Sequence, residues 1–131
     1  MENLNNNITE ILILLFILIT FLQSGIDKAV DWKGNTGWLK EHFGQTFLAG
    51  SVPLMVGIIL VLEVITGILA LLGILWILAY GSTSLAFYSC VLAVFTLLLL
   101  LFGQRVAKDY EGAFTITGYF IVCIFGVYLL A

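Results

Sequence analysis

The chain has 131 residues, of which 62% are hydrophobic and only 10% are charged. These fractions lie far outside the range of soluble globular domains and predict a membrane protein. The polar share leaves no room for a separate catalytic domain, so we expect one transmembrane domain over residues 1–131. The net charge is −3 and only five residues are Lys or Arg. That balance argues against a nucleic-acid partner and leaves membrane lipid as the expected surroundings.

Four apolar segments are long enough to cross a bilayer. A hydrocarbon core about 30 Å thick requires about 20 apolar residues per helix. The sequence meets this requirement at residues 8–24, 53–80, 84–102 and 113–131. We therefore predict an all-α fold, an integral membrane four-helix bundle.

The loop between the first two spans carries a helical pattern of its own. Its apolar positions recur at helical spacing, with polar residues on the other side: Trp38, Leu39, Phe43 and Phe47 against Lys40, Glu41 and Gln45. This pattern predicts a short amphipathic helix in the membrane interface. Its structural role would be to close the end of the bundle. The functional alternative is that His42 faces a cavity.

Several kinds of catalytic site are excluded by counting. One His and two separated Cys cannot form a zinc site, a haem site with a pair of His ligands, or an iron–sulfur site within this chain. The sequence also has no Gly-rich phosphate loop and no credible Ser-His-Asp set. We therefore expect no metal and no catalysis by this chain on its own.

The two cysteines, Cys90 and Cys123, do not form a Cys-x-x-Cys motif. Isolated cysteines usually serve as small packing groups. Counted from the ends of their spans, however, their depths differ by only about 3 Å at 1.5 Å per residue. A redox-active thiol pair is therefore the alternative to packing.

Glu63 lies in the middle of the second apolar run, ten residues after Pro53. That spacing corresponds to about 15 Å of helix, which is near the bilayer midplane. An unpaired carboxylate there costs roughly 2.5 to 3.5 kcal/mol even on the mildest insertion scale. No other charged residue is predicted at this depth. We expect a neutral Glu63 that faces the bundle and hydrogen-bonds to a hydroxyl or a backbone carbonyl.

Two roles for Glu63 stay open, an interhelical hydrogen bond that only fixes packing and a ligand or proton site. The residues that we consider as companions of Glu63 in such a site are Tyr80, Tyr88, Tyr119 and His42.

Charged residues also gather where the predicted spans end on one side of the membrane. They are Asp27, Lys28, Arg105, Lys108 and Asp109. We expect Asp27 or Asp109 to pair with a basic residue of the other loop. Exposed pairs of this kind contribute only about 0 to 1 kcal/mol.

The segment Gly25-Ile-Asp-Lys28, at the exit of the first span, resembles the Gly-x-x-Lys signature that ends the first helix of the DoxX family. Glu63 followed by Gly67 in a Gly-rich second helix also fits, as does the loop 103–109. The related MauE-type proteins share this plan. Many relatives carry an Arg inside the first helix, whereas residues 11–21 are uncharged here, so no role of that Arg is transferred.

The resemblance implies a small integral protein of a bacterial-type inner membrane, associated with redox enzymes. Our first functional hypothesis is therefore an accessory or assembly subunit that docks on a larger membrane complex. Small residues that would let helices approach closely support it: Ala86, Cys90, Ala93, Gly118 and Gly126. The alternative is a stand-alone unit that binds a quinone, a lipid or another small molecule near Glu63. Neither hypothesis requires a covalent cofactor.

The distribution of basic residues predicts the orientation. All five fall in the two loops that four crossings place on one side: Lys28, Lys33, Lys40, Arg105 and Lys108. By the positive-inside rule these loops face the cytoplasm and both termini face outside. Alkaline phosphatase fused after Ala131 should be active, and the same reporter inserted in the 103–112 loop should be inactive. Fluorescence from a cytoplasm-dependent reporter fused after Ala131 would contradict this orientation.

Overall fold

A computed structural model of the chain describes residues 2–42, 44, 46 and 49–131. These residues form helices joined by short connections, with no strand among them. The helices are α1 (Glu2–Asn6), α2 (Ile8–Val30), α3 (Trp32–His42), α4 (Val52–Tyr80), α5 (Ser84–Val106) and α6 (Tyr110–Leu130). A 3₁₀ turn, Ala49–Ser51, leads into α4.

Four of these helices, α2, α4, α5 and α6, are long and apolar enough to cross a membrane. They correspond to the four predicted spans and confirm the all-α membrane bundle. The largest difference lies in α2, which continues six residues past the predicted end at Ser24 to Val30. The apolar run stops at Gln23, but the helical hydrogen bonds do not. The N–H of Asp31 still donates to the carbonyl of Asp27, at 3.1 Å.

The helix in the first loop, α3, begins at Trp32, six residues before the predicted start at Trp38. Trp38 is exposed and Leu39 is half-buried, as in a helix that covers one end of the bundle. The predicted continuation through Phe43 and Phe47 lies outside the described residues, and so does the side chain of His42.

The four spans pack in chain order. The most extensive contacts join α2 to α4, α4 to α5 and α5 to α6. By comparison, α2 contacts α5 and α6 over a short part of its length. The turn between α4 and α5 is tight because Gly81 adopts φ 70°, in the left-handed region. The side-chain amide of Asn3 donates to the carbonyl of Leu78, at 3.2 Å, so the N-terminal helix lies at this end of the bundle.

The bundle core is apolar towards the α4–α5 turn. Its fully buried side chains include Leu14, Ile17, Ile77 and the small residues Ala86, Cys90 and Ala93. These small residues therefore pack within the bundle, and their face of α5 is not available to a partner protein. Gly126 also faces inward, because a Cβ there would lie 2.8 Å from the Cys90 sulfur.

The α4–α5 hairpin depends on the absence of a side chain at Gly73. A Cβ at this position would lie 3.0 Å from the backbone N and Cα of Ala86. We expect Gly73→Val to destabilise the protein by about 1 to 3 kcal/mol, the usual cost of overpacking. Gly118→Val is the matched control, because a Cβ at Gly118 meets nothing within 4 Å. Unfolding in detergent measures both variants, and equal losses of stability would contradict this packing.

Candidate functional site

The central feature of the candidate site is an ion pair between two membrane-spanning helices. The ammonium nitrogen of Lys28 in α2 lies 2.8 Å from Oε1 of Glu63 in α4. The Glu63 side chain is 2% exposed and that of Lys28 is 17% exposed. Lys28 also donates a hydrogen bond to the hydroxyl of Ser24, at 2.7 Å. The pair thus places two opposite charges inside an otherwise apolar bundle.

Local helix geometry explains how Lys28 reaches Glu63. Side chains on a helix tilt towards its N-terminus, so Lys28 points back along α2 towards Ser24, one turn earlier. Because α2 and α4 run antiparallel, this direction leads away from the connecting loops and into the bundle. Lys28 therefore carries its charge deeper than its own Cα.

Two glycines bring α2 and α4 close together beside Glu63 and one turn further along α4. A Cβ at Gly25 would lie 2.9 Å from Cγ2 of Val64, and a Cβ at Gly67 would lie 3.0 Å from Cβ of Leu22. Both positions therefore need a residue without a side chain. These glycines belong to the motifs that suggested the family resemblance, and the structure gives those motifs a steric role.

The ion pair corrects one sequence prediction. We expected no other charge at the depth of Glu63 and a hydroxyl or backbone carbonyl as its partner, whereas the partner is Lys28. The error follows from ending the first span at Ser24, which placed Lys28 in a loop. The spacing of Ser24 and Lys28, four residues apart, is the signal that would have revealed one continuous helical face.

A cavity of about 350 Å³ adjoins Glu63. It lies between α2 on one side and α5 and α6 on the other, where α2 makes few helix contacts. Its polar lining includes Thr20, Ser24, Asp27, Glu63 and Tyr119. Oε2 of Glu63 is buried and accepts no hydrogen bond from any described residue. Glu63 therefore borders the cavity and has a buried oxygen without a hydrogen-bond partner among the described residues.

A second cavity, of about 150 Å³, lies under α3 between α4 and α5. Lys28, Gln104 and Asp109 supply its polar lining, and the remaining walls are largely apolar. Lys28 thus borders the smaller cavity and Glu63 borders the larger one. The ion pair lies between them.

The other predicted companions of Glu63 separate into two groups. Tyr119 lines the larger cavity, and its ring meets that of Phe16 edge to face with centroids 5.8 Å apart. Tyr80 and Tyr88 are 73% and 59% exposed, so they face away from the bundle interior. His42 ends α3, and its side chain is outside the described part of the chain.

The charged residues predicted at the span ends on one side of the membrane have different surroundings. Arg105 lies over the ring of Tyr110, 4.8 Å from its centroid. Asp109 caps α6 by accepting a hydrogen bond from the N–H of Gly112, at 3.0 Å. Lys108 adopts φ 61° in the turn before α6. The pairing of Asp27 or Asp109 with a basic residue of the other loop stays a prediction.

Cys90 and Cys123 are both fully buried and both are free thiols. Cys90 packs against Gly126, as a small packing group does. The described residues contain no group of three His, Cys, Asp or Glu side chains placed to hold a metal ion.

Comparison with known proteins adds no relative: no family model, curated protein or solved structure matches the chain. The resemblance to the DoxX family therefore depends on the short motifs alone.

The contributions of Lys28 and Glu63 to the free energy of unfolding should depend on each other. Lys28→Met leaves Glu63 buried without its counter-charge, and we expect a loss of about 3 kcal/mol in unfolding free energy. Glu63→Leu also leaves Lys28 without its counter-charge but should cost less, because Lys28 is 17% exposed and lies in the last turn of α2. The double variant, Lys28→Met with Glu63→Leu, should recover most of the loss, because an apolar pair replaces the charges. A double-mutant cycle of unfolding in detergent measures the coupling. Additive losses would contradict a direct interaction.

Proposed function

We propose that this membrane protein binds a small, largely apolar molecule from the lipid phase in the larger cavity beside Glu63. The observation that carries this proposal is a 350 Å³ cavity bordered by Glu63, whose buried Oε2 accepts no hydrogen bond from the described residues. Buried polar groups are normally paired, and the exceptions call for a specific explanation. A polar group of a bound molecule that reaches Glu63 through the adjoining cavity supplies one.

The cavity lining fits an amphiphilic ligand. Ile19, Leu97, Leu100 and Ile116 provide apolar walls. The side chains of Thr20 and Tyr119 provide hydroxyl groups that hold a polar head group in a fixed orientation. Sites for small ligands commonly combine such walls with a few placed polar groups. Quinones and lipids are the ligand classes that the sequence suggested.

A route into the cavity from the side of the bundle supports uptake from lipid. Three residues spaced four apart on α2 line the cavity and are exposed at the bundle surface: Ile19, Gln23 and Asp27. A ligand that enters here passes between α2 and α6, where the bundle is least closed. We place the protein in a bacterial-type inner membrane with both termini outside as part of this proposal.

Docking on a larger redox complex is the second candidate. The observation that favours it is Gly118, which is exposed on α6 in line with Phe114 and Ile121 and has open space around it. Small residues on such a face allow another helix to approach closely. The buried small residues of α5 give this candidate no support.

One purification separates the candidates. We expect the protein, isolated in mild detergent and extracted with organic solvent, to yield one small molecule per chain by mass spectrometry. Thr20→Phe fills the cavity and should remove that molecule. Leu12→Phe is the matched control, because Leu12 lies on the same helix, is 57% exposed and does not line the cavity. A stoichiometric protein partner without any small molecule would contradict ligand binding and favour docking.

A further inference from the structure

The charged groups that line the larger cavity all have the same sign. Asp27 and Glu63 both contribute carboxylates, and no Lys or Arg belongs to the lining that the structure describes. Lys28 is paired with Oε1 of Glu63 and lines the smaller cavity instead. The larger cavity therefore presents acidic groups, and the Lys28 ammonium is engaged with Glu63.

Charge balance indicates what would complete this site. Lys28 compensates Glu63, which leaves Asp27, exposed at the cavity edge, as the uncompensated charge of the cluster of Asp27, Lys28 and Glu63. Attraction between opposite charges is stronger in a partly enclosed site than in bulk water. A ligand with one positive charge makes the cluster neutral, whereas an anionic ligand adds to the imbalance.

Aromatic rings at the same cavity favour a cation as well. Phe21 and Tyr119 both belong to the lining. The faces of aromatic rings attract cations, most strongly where water is excluded. Aliphatic side chains form much of the remaining wall and suit an apolar body.

We propose that the larger cavity recognises lipophilic cations: a protonated amine or quaternary ammonium group carried on an aromatic or aliphatic body. The positive group lies beside Glu63 in the cavity, and Asp27 at the exposed edge of α2 adds attraction at the entrance. The inference rests on the proposed function, since it names the chemical class of ligand for the same cavity.

Two pairs of probes with matched shapes test the charge preference. Tetraphenylphosphonium and tetraphenylborate have opposite charges, and the smaller benzyltrimethylammonium has neopentylbenzene as its neutral counterpart. Equilibrium dialysis of the purified full chain in non-ionic detergent, with a protein-free micelle blank, measures binding. We expect saturable binding of at least one cation near one per chain, and weaker binding of its matched control.

Carboxylate variants locate the binding site. Glu63→Gln keeps the shape of the side chain and should weaken cation binding by about tenfold, the effect of one charge-assisted contact. Asp27→Asn should also weaken it, and because Asp27 is exposed, this variant remains informative if Glu63→Gln fails to fold. Glu111→Gln is the control, since Glu111 is exposed on α6 and does not line the cavity. Its affinity should match that of the wild type.

The outcomes distinguish the inference from the function on which it rests. If neither cation binds the wild type, or if the carboxylate variants bind cations as tightly as Glu111→Gln does, recognition of lipophilic cations is wrong. Equal or tighter binding of the neutral or anionic probes also overturns it. In each case a small molecule that co-purifies with the wild type and is lost in Thr20→Phe keeps the ligand-binding function intact.

Discussion

The Lys28–Glu63 ion pair is the constraint on which the rest of the site depends. Two buried charges inside a membrane bundle are tolerated only when they compensate each other, since either one alone is expensive in lipid. Their 2.8 Å separation requires α2 and α4 to pack closely at this level, which Gly25 and Gly67 permit. The Lys28 ammonium lies 2.8 Å from Oε1 of Glu63, and Oε2 accepts no hydrogen bond from the described residues. Glu63 also borders the larger cavity, so the residue that joins the helix pair belongs to the candidate site.

The bundle is divided along its length into an apolar part and a polar part. Towards the α4–α5 turn, aliphatic and small residues fill the interior, as at Leu14 and Ala86. Towards the longer loops the interior holds the ion pair and two cavities. Close packing supplies rigidity at one end, and the other end has the space and the polar groups that binding requires. This division explains how a chain of 131 residues can form a compact bundle and still contain a candidate binding site.

Much of the fold was predictable from the sequence because hydrophobic length alone identifies membrane spans. The prediction of the four spans required no knowledge of packing. Identifying the partner of Glu63 did require knowledge of how the helices pack. Polar residues such as Gln23 and Asp27 end an apolar run in the same way whether the helix stops or continues, so composition could not show that Lys28 belongs to α2. Nor could the sequence distinguish a small residue that packs inside the bundle, such as Ala93, from one that faces outward, such as Gly118.

The separation of the paired charges in the chain bears on how the protein enters the membrane. Lys28 belongs to α2 and Glu63 belongs to α4, so the lysine precedes its partner in the chain. During synthesis, α2 reaches the bilayer before the carboxylate that neutralises its lysine exists. Lys28 lies near the end of α2, where its long side chain can extend to the interface and remain hydrated until α4 arrives. Glu63 lies about 16 Å from the start of its helix and has no comparable escape to water. Glu63 is therefore least costly to bury in lipid when α4 already lies beside α2 and Lys28.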